Sequence, residues 1–596
     1  MHRLVRGART LLPIALLVPV FADAQAPAAS HSRTDTAFER EFGDKFLAAY
    51  WELNPDYAIS VGFYRVADRL LVPDDASRAA ELAFVDRWQT RLRRIKPEML
   101  NDSNRADWVL LDNEFEGTRW ALTQQRSWAW NPANYNVAEP FAVLMNTEYA
   151  PLEQRLRTIL RRLENVPAYY AAAKGSIARP TREHTQLAAE QNRGALAVFG
   201  EEMQKLAAGS ALPERERALF EQRRLAALAA IEDFVSWLEQ LDQQLDREGA
   251  RPFRLGRELY ERKFAYNIQS GNTAEALYKR ALQEMERLHT RMDLLADQLW
   301  PKYFPNLAPP AERLEKIDQL IGRMSEQHVA REELLDEVRR QIPELEKWVT
   351  DKQLVTLDSE KPLEVRVTPE YKRGVAIASI DAPGPYDPKA NTYYNVTPLD
   401  GFSPERAESF LREYNRWMLP ILNIHEAVPG HYVQLVHANK SPSRIKTIFG
   451  NGAMIEGWAS YAERMMLESG YGDHTAEMWL IYSKWSLRSV CNTILDYSVH
   501  VLDMSEMDGK KLLTRFAFQS TEEASAKWRR VQLTSVQLTS YFSGYSAIYD
   551  FREQLKRELG EQFDLRRFHE QFLSYGNAPV ILIRQLMKPG EKATAP

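Results

Sequence analysis

Seven consecutive residues, His425-Glu426-Ala427-Val428-Pro429-Gly430-His431, hold the ingredients of metal-assisted hydrolysis. Two neutral imidazoles grip a divalent ion, and a carboxylate beside them takes a proton from water. The usual spacing for this work is H-E-x-x-H, because positions i and i+4 share one helix face. Here the second histidine stands at i+6. On an unbroken helix it would lie about 120° around the axis and roughly 9 Å further along, out of reach of a shared ion. Pro429 and Gly430 offer a way out. Proline deletes a helical hydrogen bond and clashes with the carbonyl four residues back, here that of His425. Glycine admits backbone angles closed to other residues. The expectation is a broken helix that swings His431 back towards His425.

A third ligand should come from a following helix. Ile455 to Glu463 offers Glu456, 25 residues after His431, and Glu463, seven further on and on the same helical face. Glu456 stands among Met454, Ile455, Trp458 and Ala459, where an unpaired carboxylate is expensive to bury. Glu456 is therefore the expected third ligand, and Glu463 an outer carboxylate that supports the site. Glu426 is the expected general base. Zinc is the expected ion, although two imidazoles and a carboxylate also suit other divalent metals.

These residues resemble the bacterial domain of unknown function 885 family. The matching words are His425 to His431 with Gln434, then Glu456-Gly-Trp-Ala459, an Asp496-x-x-x-His500 element, and Gln537 to Gly544 followed by Arg552. Looser similarity runs from about Phe46 to Pro579. Ser535 and Val536 depart from an expected Pro-Gly, and Lys527 from an expected acid. The resemblance implies a large, mainly α, zincin-like metallohydrolase related to the Glu-ligand zinc peptidases, with a small β-sheet next to the active-site helix. It also implies Tyr541 as a hydroxyl donor to the oxyanion of a tetrahedral intermediate. His500 is a candidate to share that task or to hold a ligand, with a structural histidine as the competing reading. Arg488, Arg530 and Arg552 are candidates to clamp a substrate carboxylate.

The elements that must carry these residues are mostly helices. Segments 75–95, 104–124, 152–174, 185–207, 214–245 and 273–299 repeat apolar residues at three- and four-residue spacing, with prolines at or just outside their ends. Segments 311–327 and 331–349 continue the pattern. Leu363–Val367, 374–379 and Thr392–Val396 are short runs rich in β-branched and aromatic residues, which predict a small sheet. Helix returns from Pro404. The expected organisation is a helical N-terminal region, 25–360, and a catalytic region, 361–596, in one body.

Composition bounds what else the chain can be. Its 596 residues carry 77 Lys+Arg against 82 Asp+Glu, which gives no global electrostatic reason to bind nucleic acid. The one cysteine, Cys491, excludes an intrachain disulfide and a thiolate metal cage. Arg3, Arg6 and Arg9 before the apolar run Leu11–Phe21 and Ala22-Asp23-Ala24 read as a signal peptide cleaved after Ala24, without a cysteine for lipid attachment. The run is too short to span a bilayer. The expected product is periplasmic or secreted, with no stable membrane insertion and with peptides as substrate. Two rivals stand beside the metallopeptidase. One is a non-catalytic zinc- or peptide-binding scaffold of the same fold. The other is a metal-free hydrolase using a serine or Cys491, although no Gly-x-Ser-x-Gly elbow is present.

Overall fold

The computed structural model describes residues 32–368, 378–387 and 391–588. The expected leader, 1–24, and the first half of the second expected strand, 374–377, lie outside the described residues. The rest is overwhelmingly helical. The amphipathic segments become Asp75–Leu92, Asp102–Trp120, Glu214–Glu248 and Ala274–Tyr303. Segment 152–174 divides into Leu152–Leu163 and Val166–Ser176, with Pro167 in the first turn of the second helix, where proline costs no hydrogen bond. Segment 185–207 divides at Gly200 into Arg182–Val198 and Glu201–Ala208.

Apolar packing gathers in two clusters. The smaller one includes Leu156, Ile159 and Leu163 on one face of their helix, and Phe220, Ala227, Ile231, Phe234 and Leu238 on one face of Glu214–Glu248. These spacings of three, four and seven are what a helix needs to bury a single stripe. The larger cluster runs from Phe38 to Leu586 and surrounds the histidine-bearing segment. No helix among the described residues is long and apolar enough to cross a membrane.

The three strands are β1 (Leu363–Val367), β2 (Ala378–Asp381) and β3 (Thr392–Val396). β3 is central, parallel to β1 and antiparallel to β2. The sheet packs on helix α1 (Met418–Glu426), which carries the first histidine. Buried Tyr394 of β3 donates to Asn423 Oδ1 at 2.8 Å, and Asn423 Nδ2 donates to Gln341 Oε1 at 2.7 Å. The sheet thus anchors the base of α1 through a satisfied polar chain.

Distant segments are pinned by buried charge. Lys446 Nζ lies 2.5 Å from Asp107 Oδ1, and both side chains are almost fully enclosed. Burial pushes the Asp107 carboxyl up, against the pull of Lys446 and Ser443. Replacing one partner leaves the other charge uncompensated, which costs about 3–5 kcal/mol. D107A is therefore expected to lose that much stability in a denaturant titration, and a loss under about 1 kcal/mol would contradict it.

Candidate metal centre

Helix α1 ends at Glu426, and helix α2 (His431–Asn439) begins five residues later. Between them the Gly430 N–H donates to Ile424 O at 2.9 Å. A Cβ on Gly430 would overlap the carbonyls of His425 and Ile424, so only glycine fits this return of the chain. The break brings the two imidazoles together, with ring centroids 4.8 Å apart and planes at 90°. Trp458 Nε1 donates to Pro429 O at 2.9 Å and ties the break to helix α3 (Gly452–Glu468). Asn451 caps α3 by accepting from Met454 N.

Glu456, on the second turn of α3, completes the cluster. Its Oε2 lies 3.4 Å from His431 Nε2 and 3.8 Å from His425 Nε2. One donor atom from each of the three residues falls within 4.8 Å of the others. Donors held at about 2.0–2.2 Å around a tetrahedral ion stand roughly 3.3–3.6 Å apart. The 3.4 Å separation falls in that range and the 3.8 Å one slightly beyond it, so the donor set suits a divalent ion such as zinc after a small adjustment. His425 Nδ1 lies 2.6 Å from Glu463 Oε1, which fixes the tautomer that leaves Nε2 facing Glu456. The Trp485 ring lies across from His425, with centroids 6.3 Å apart and planes at 80°.

Charge balance follows from this packing. Burial opposes a charge on His425, yet the bonds from Glu456 and Glu463 prevail and hold its imidazolium well above the ordinary range. Burial likewise opposes ionisation of Glu456, but the two histidines win and hold it low. Glu426 is pushed up by burial, only partly offset by His431 and His425. Neutralising Glu463 removes the charge that orients His425. E463Q is expected to weaken zinc binding about 10- to 100-fold in a competition titration with a chelator, and an unchanged affinity would show that Glu463 has no such part.

A second layer comes from helices α4 (Ala476–Val501), α5 (Thr521–Leu533) and α6 (Ser540–Leu559). α6 crosses α3 at Gly544 and Gly457, where a Cβ on either glycine would overlap backbone of the other helix. Glu456 is the residue before this crossing, and Tyr541 lies one turn before it on α6. The segment entering α6 is held from below. Asp496 accepts from Val536 N at 2.9 Å, from Leu538 N at 3.1 Å and from Tyr260 Oη at 2.9 Å. Val536 has φ +70°, a costly conformation for a β-branched residue. This is the position where the family resemblance leads one to expect glycine, and the Asp496 bonds hold valine in its place.

The structure brings His425, His431, Glu456 and Glu463 together, with Glu426 half-buried beside them. It distributes the other candidates differently. His500 is not part of the cluster: it is buried, and its Nε2 lies 3.0 Å from Val531 O and 2.9 Å from Thr534 O. With Lys263 and His184 it lines a separate cavity of 220 Å³. Its observed task is to hold the segment before α6. The three candidate arginines have different partners. Arg552 is bound to Glu468 and Glu553, and Arg488 to Glu523 at 2.6 Å. Arg530 alone faces neutral partners, donating to Gln537 Oε1 at 2.7 Å and to Tyr541 Oη at 3.3 Å. Cys491 is buried, and burial pushes its thiol up to about 12, unlike a nucleophile. Sequence reasoning did not single out Asn423, Tyr394 or Trp485, whose roles depend on contacts far apart in the chain.

These features define a class: a mainly helical protein whose broken helix and following helix converge a His–His–Glu cluster. More particularly, the chain belongs to the family described as bacterial protein of unknown function (DUF885), whose model matches residues 55–587. A Shewanella oneidensis structure described as "a putative lipoprotein of unknown function" is 52% identical, with TM-score 0.85, covering 92% of this chain and 99% of that one. A Colwellia psychrerythraea structure described as a "putative lipoprotein" shares the fold at 16% identity, with TM-score 0.75, covering 92% of this chain and 98% of that one. Among curated proteins none matches the chain.

Proposed function

We propose that the chain is a zinc-dependent hydrolase of zincin-like design that cleaves peptides. The observation that carries this reading is the set of donor spacings among His425, His431 and Glu456, which suit one tetrahedral ion. A bound ion would polarise the scissile carbonyl and lower the pKa of a water beside it. Glu426 accepts the proton of that water and returns it to the leaving amine. Its burial raises its proton affinity towards the working range, which suits a residue that must both take and give a proton. Glu463 holds His425 in the correct tautomer. The Tyr541 hydroxyl accepts from Arg530, so its own O–H remains available to donate to the oxyanion. The edges of the β1–β3–β2 sheet offer main-chain groups against which an extended peptide can pair.

The leader-like N-terminus and the lipoprotein descriptions of similar structures support an envelope location. The direct test is elemental analysis of the purified chain combined with a mass-spectrometric screen of a mixed peptide pool, with and without chelator. One equivalent of zinc and chelator-sensitive cleavage are expected. Bound zinc with no cleavage would favour the non-catalytic scaffold, and chelator-resistant cleavage would favour a metal-free enzyme.

A further inference from the structure

Four lysines are buried among the described residues: Lys316, Lys446, Lys484 and Lys527. Three of them meet carboxylates. Lys316 reaches Asp293 and Asp297, Lys446 reaches Asp107, and Lys484 lies 2.6 Å from Glu413. Lys527 is 6% exposed, and no described residue accepts a hydrogen bond from its ammonium or pairs with it. An uncompensated buried ammonium is costly, so a site that keeps one calls for an anion from outside.

The surroundings strengthen that requirement. Lys527 lies three residues before Arg530 on the same face of α5, and the charges of Arg530 and of Arg488 on α4 both act on it. The one acid of this group, Glu523, is one turn earlier and is engaged by Arg488 at 2.6 Å. Arg530 has no carboxylate within ion-pair reach among the described residues, only Gln537 and Tyr541. Of Arg488, Lys527 and Arg530, only Arg488 makes an ion pair among the described residues, with Glu523. Burial, then the two arginines, press the Lys527 ammonium well below its ordinary range, and a bound anion would relieve that pressure.

The group also lies beside the candidate metal centre. Arg488 sits 5.2 Å over the Trp485 ring, and Trp485 faces His425. At the other end Arg530 contacts Tyr541, one turn before the α6–α3 crossing next to Glu456. The arc thus begins beside His425 and ends on the helix that crosses the one carrying Glu456.

We propose that Lys527, together with Arg530, forms an anion-binding subsite that receives a carboxylate of the substrate. This rests on the hydrolase reading and names the substrate class: peptides carrying a free C-terminal carboxylate or an acidic side chain near the scissile bond. Arg530 supplies a planar fork and Lys527 a point charge, the pair of donors a carboxylate accepts.

The test uses full-length protein immobilised and exposed to a tetrapeptide pool made both as free acids and as C-terminal amides, each with Glu/Asp or Gln/Asn at the inner positions. Retention is read by mass spectrometry, so it does not depend on turnover. Wild type is expected to retain the carboxylate-bearing class about 10- to 100-fold better. K527M and R530Q should each lose most of that preference, and K527R should keep it. Loss against amidation identifies the C-terminal carboxylate, and loss against Gln/Asn identifies the side chain; either supports the subsite. Equal retention by wild type in both comparisons, free acid against amide and Glu/Asp against Gln/Asn, or a preference that survives both K527M and R530Q, overturns it. Absence of cleavage by wild type would count against the hydrolase reading alone, because the retention comparison still decides the subsite. Should K527M fail to fold, R530Q carries the same comparison.

Discussion

Replacement of Glu426 by glutamine is expected to lower peptide turnover by about 10²–10⁴-fold while one equivalent of zinc remains bound. Gln has nearly the shape of Glu, so packing against α1 and the following break is preserved. Glu426 is not among the three donors that converge, so removing its charge leaves the ligand set intact. What disappears is the ability to accept a proton. Burial raises this carboxyl, and the nearby imidazoles pull it back, so its proton affinity is set by the same groups that would hold the ion. Measurement of zinc content and kcat on one preparation separates the two effects. Full activity in E426Q would remove Glu426 from the mechanism, and loss of zinc would make it a ligand.

The second large effect is expected from G430A. A Cβ at this position would overlap the carbonyls of His425 and Ile424, both backbone atoms of the helix that carries the first ligand. Main chain cannot rotate aside as a side chain can, so the break must open. His431 is the next residue and moves with it. A displacement of about 1 Å in a reacting geometry costs on the order of 10²-fold. G430A is therefore expected to weaken zinc binding by roughly that factor and to lower thermal stability together with it. G194A is a suitable control, because Gly194 lies inside the helix Arg182–Val198 and a Cβ there meets nothing nearby. Zinc affinity equal to wild type in G430A would show that His431 does not depend on this turn.

Much of this was legible in the residues themselves. The proline and glycine inside His425–His431 predict a broken helix, and the break is where the structure has it. The pairing of Glu456 with both imidazoles follows from the cost of burying a carboxylate among apolar neighbours, and the geometry agrees. Helix periodicity located the long amphipathic segments, although Gly200 and the Glu164–Asn165 turn divide two of them. Long-range partners were not legible. The spacing of arginines says nothing about which carboxylates they meet, so clamp and structural ion pair both stay open in the sequence until Glu523, Glu468 and Glu553 stand beside Arg488 and Arg552. His500 shares a helix with Asp496, but only the fold reveals that both hold the segment leading into α6. Lys527 registered as a departure from a pattern; that no described carboxylate pairs with it is a property of three dimensions.

The glycine-on-glycine contact between α3 and α6 has a consequence for how such a protein can diversify. Where two main chains touch, the distance between the segments they carry is set by covalent backbone and not by the size or rotamer of any side chain. Glu456 on one helix and Tyr541 on the other are therefore held at a fixed gauge. Side chains along α5 and in the turn before α6 can be exchanged without loosening that gauge. Selectivity for what is bound can drift while the His–His–Glu cluster keeps its dimensions.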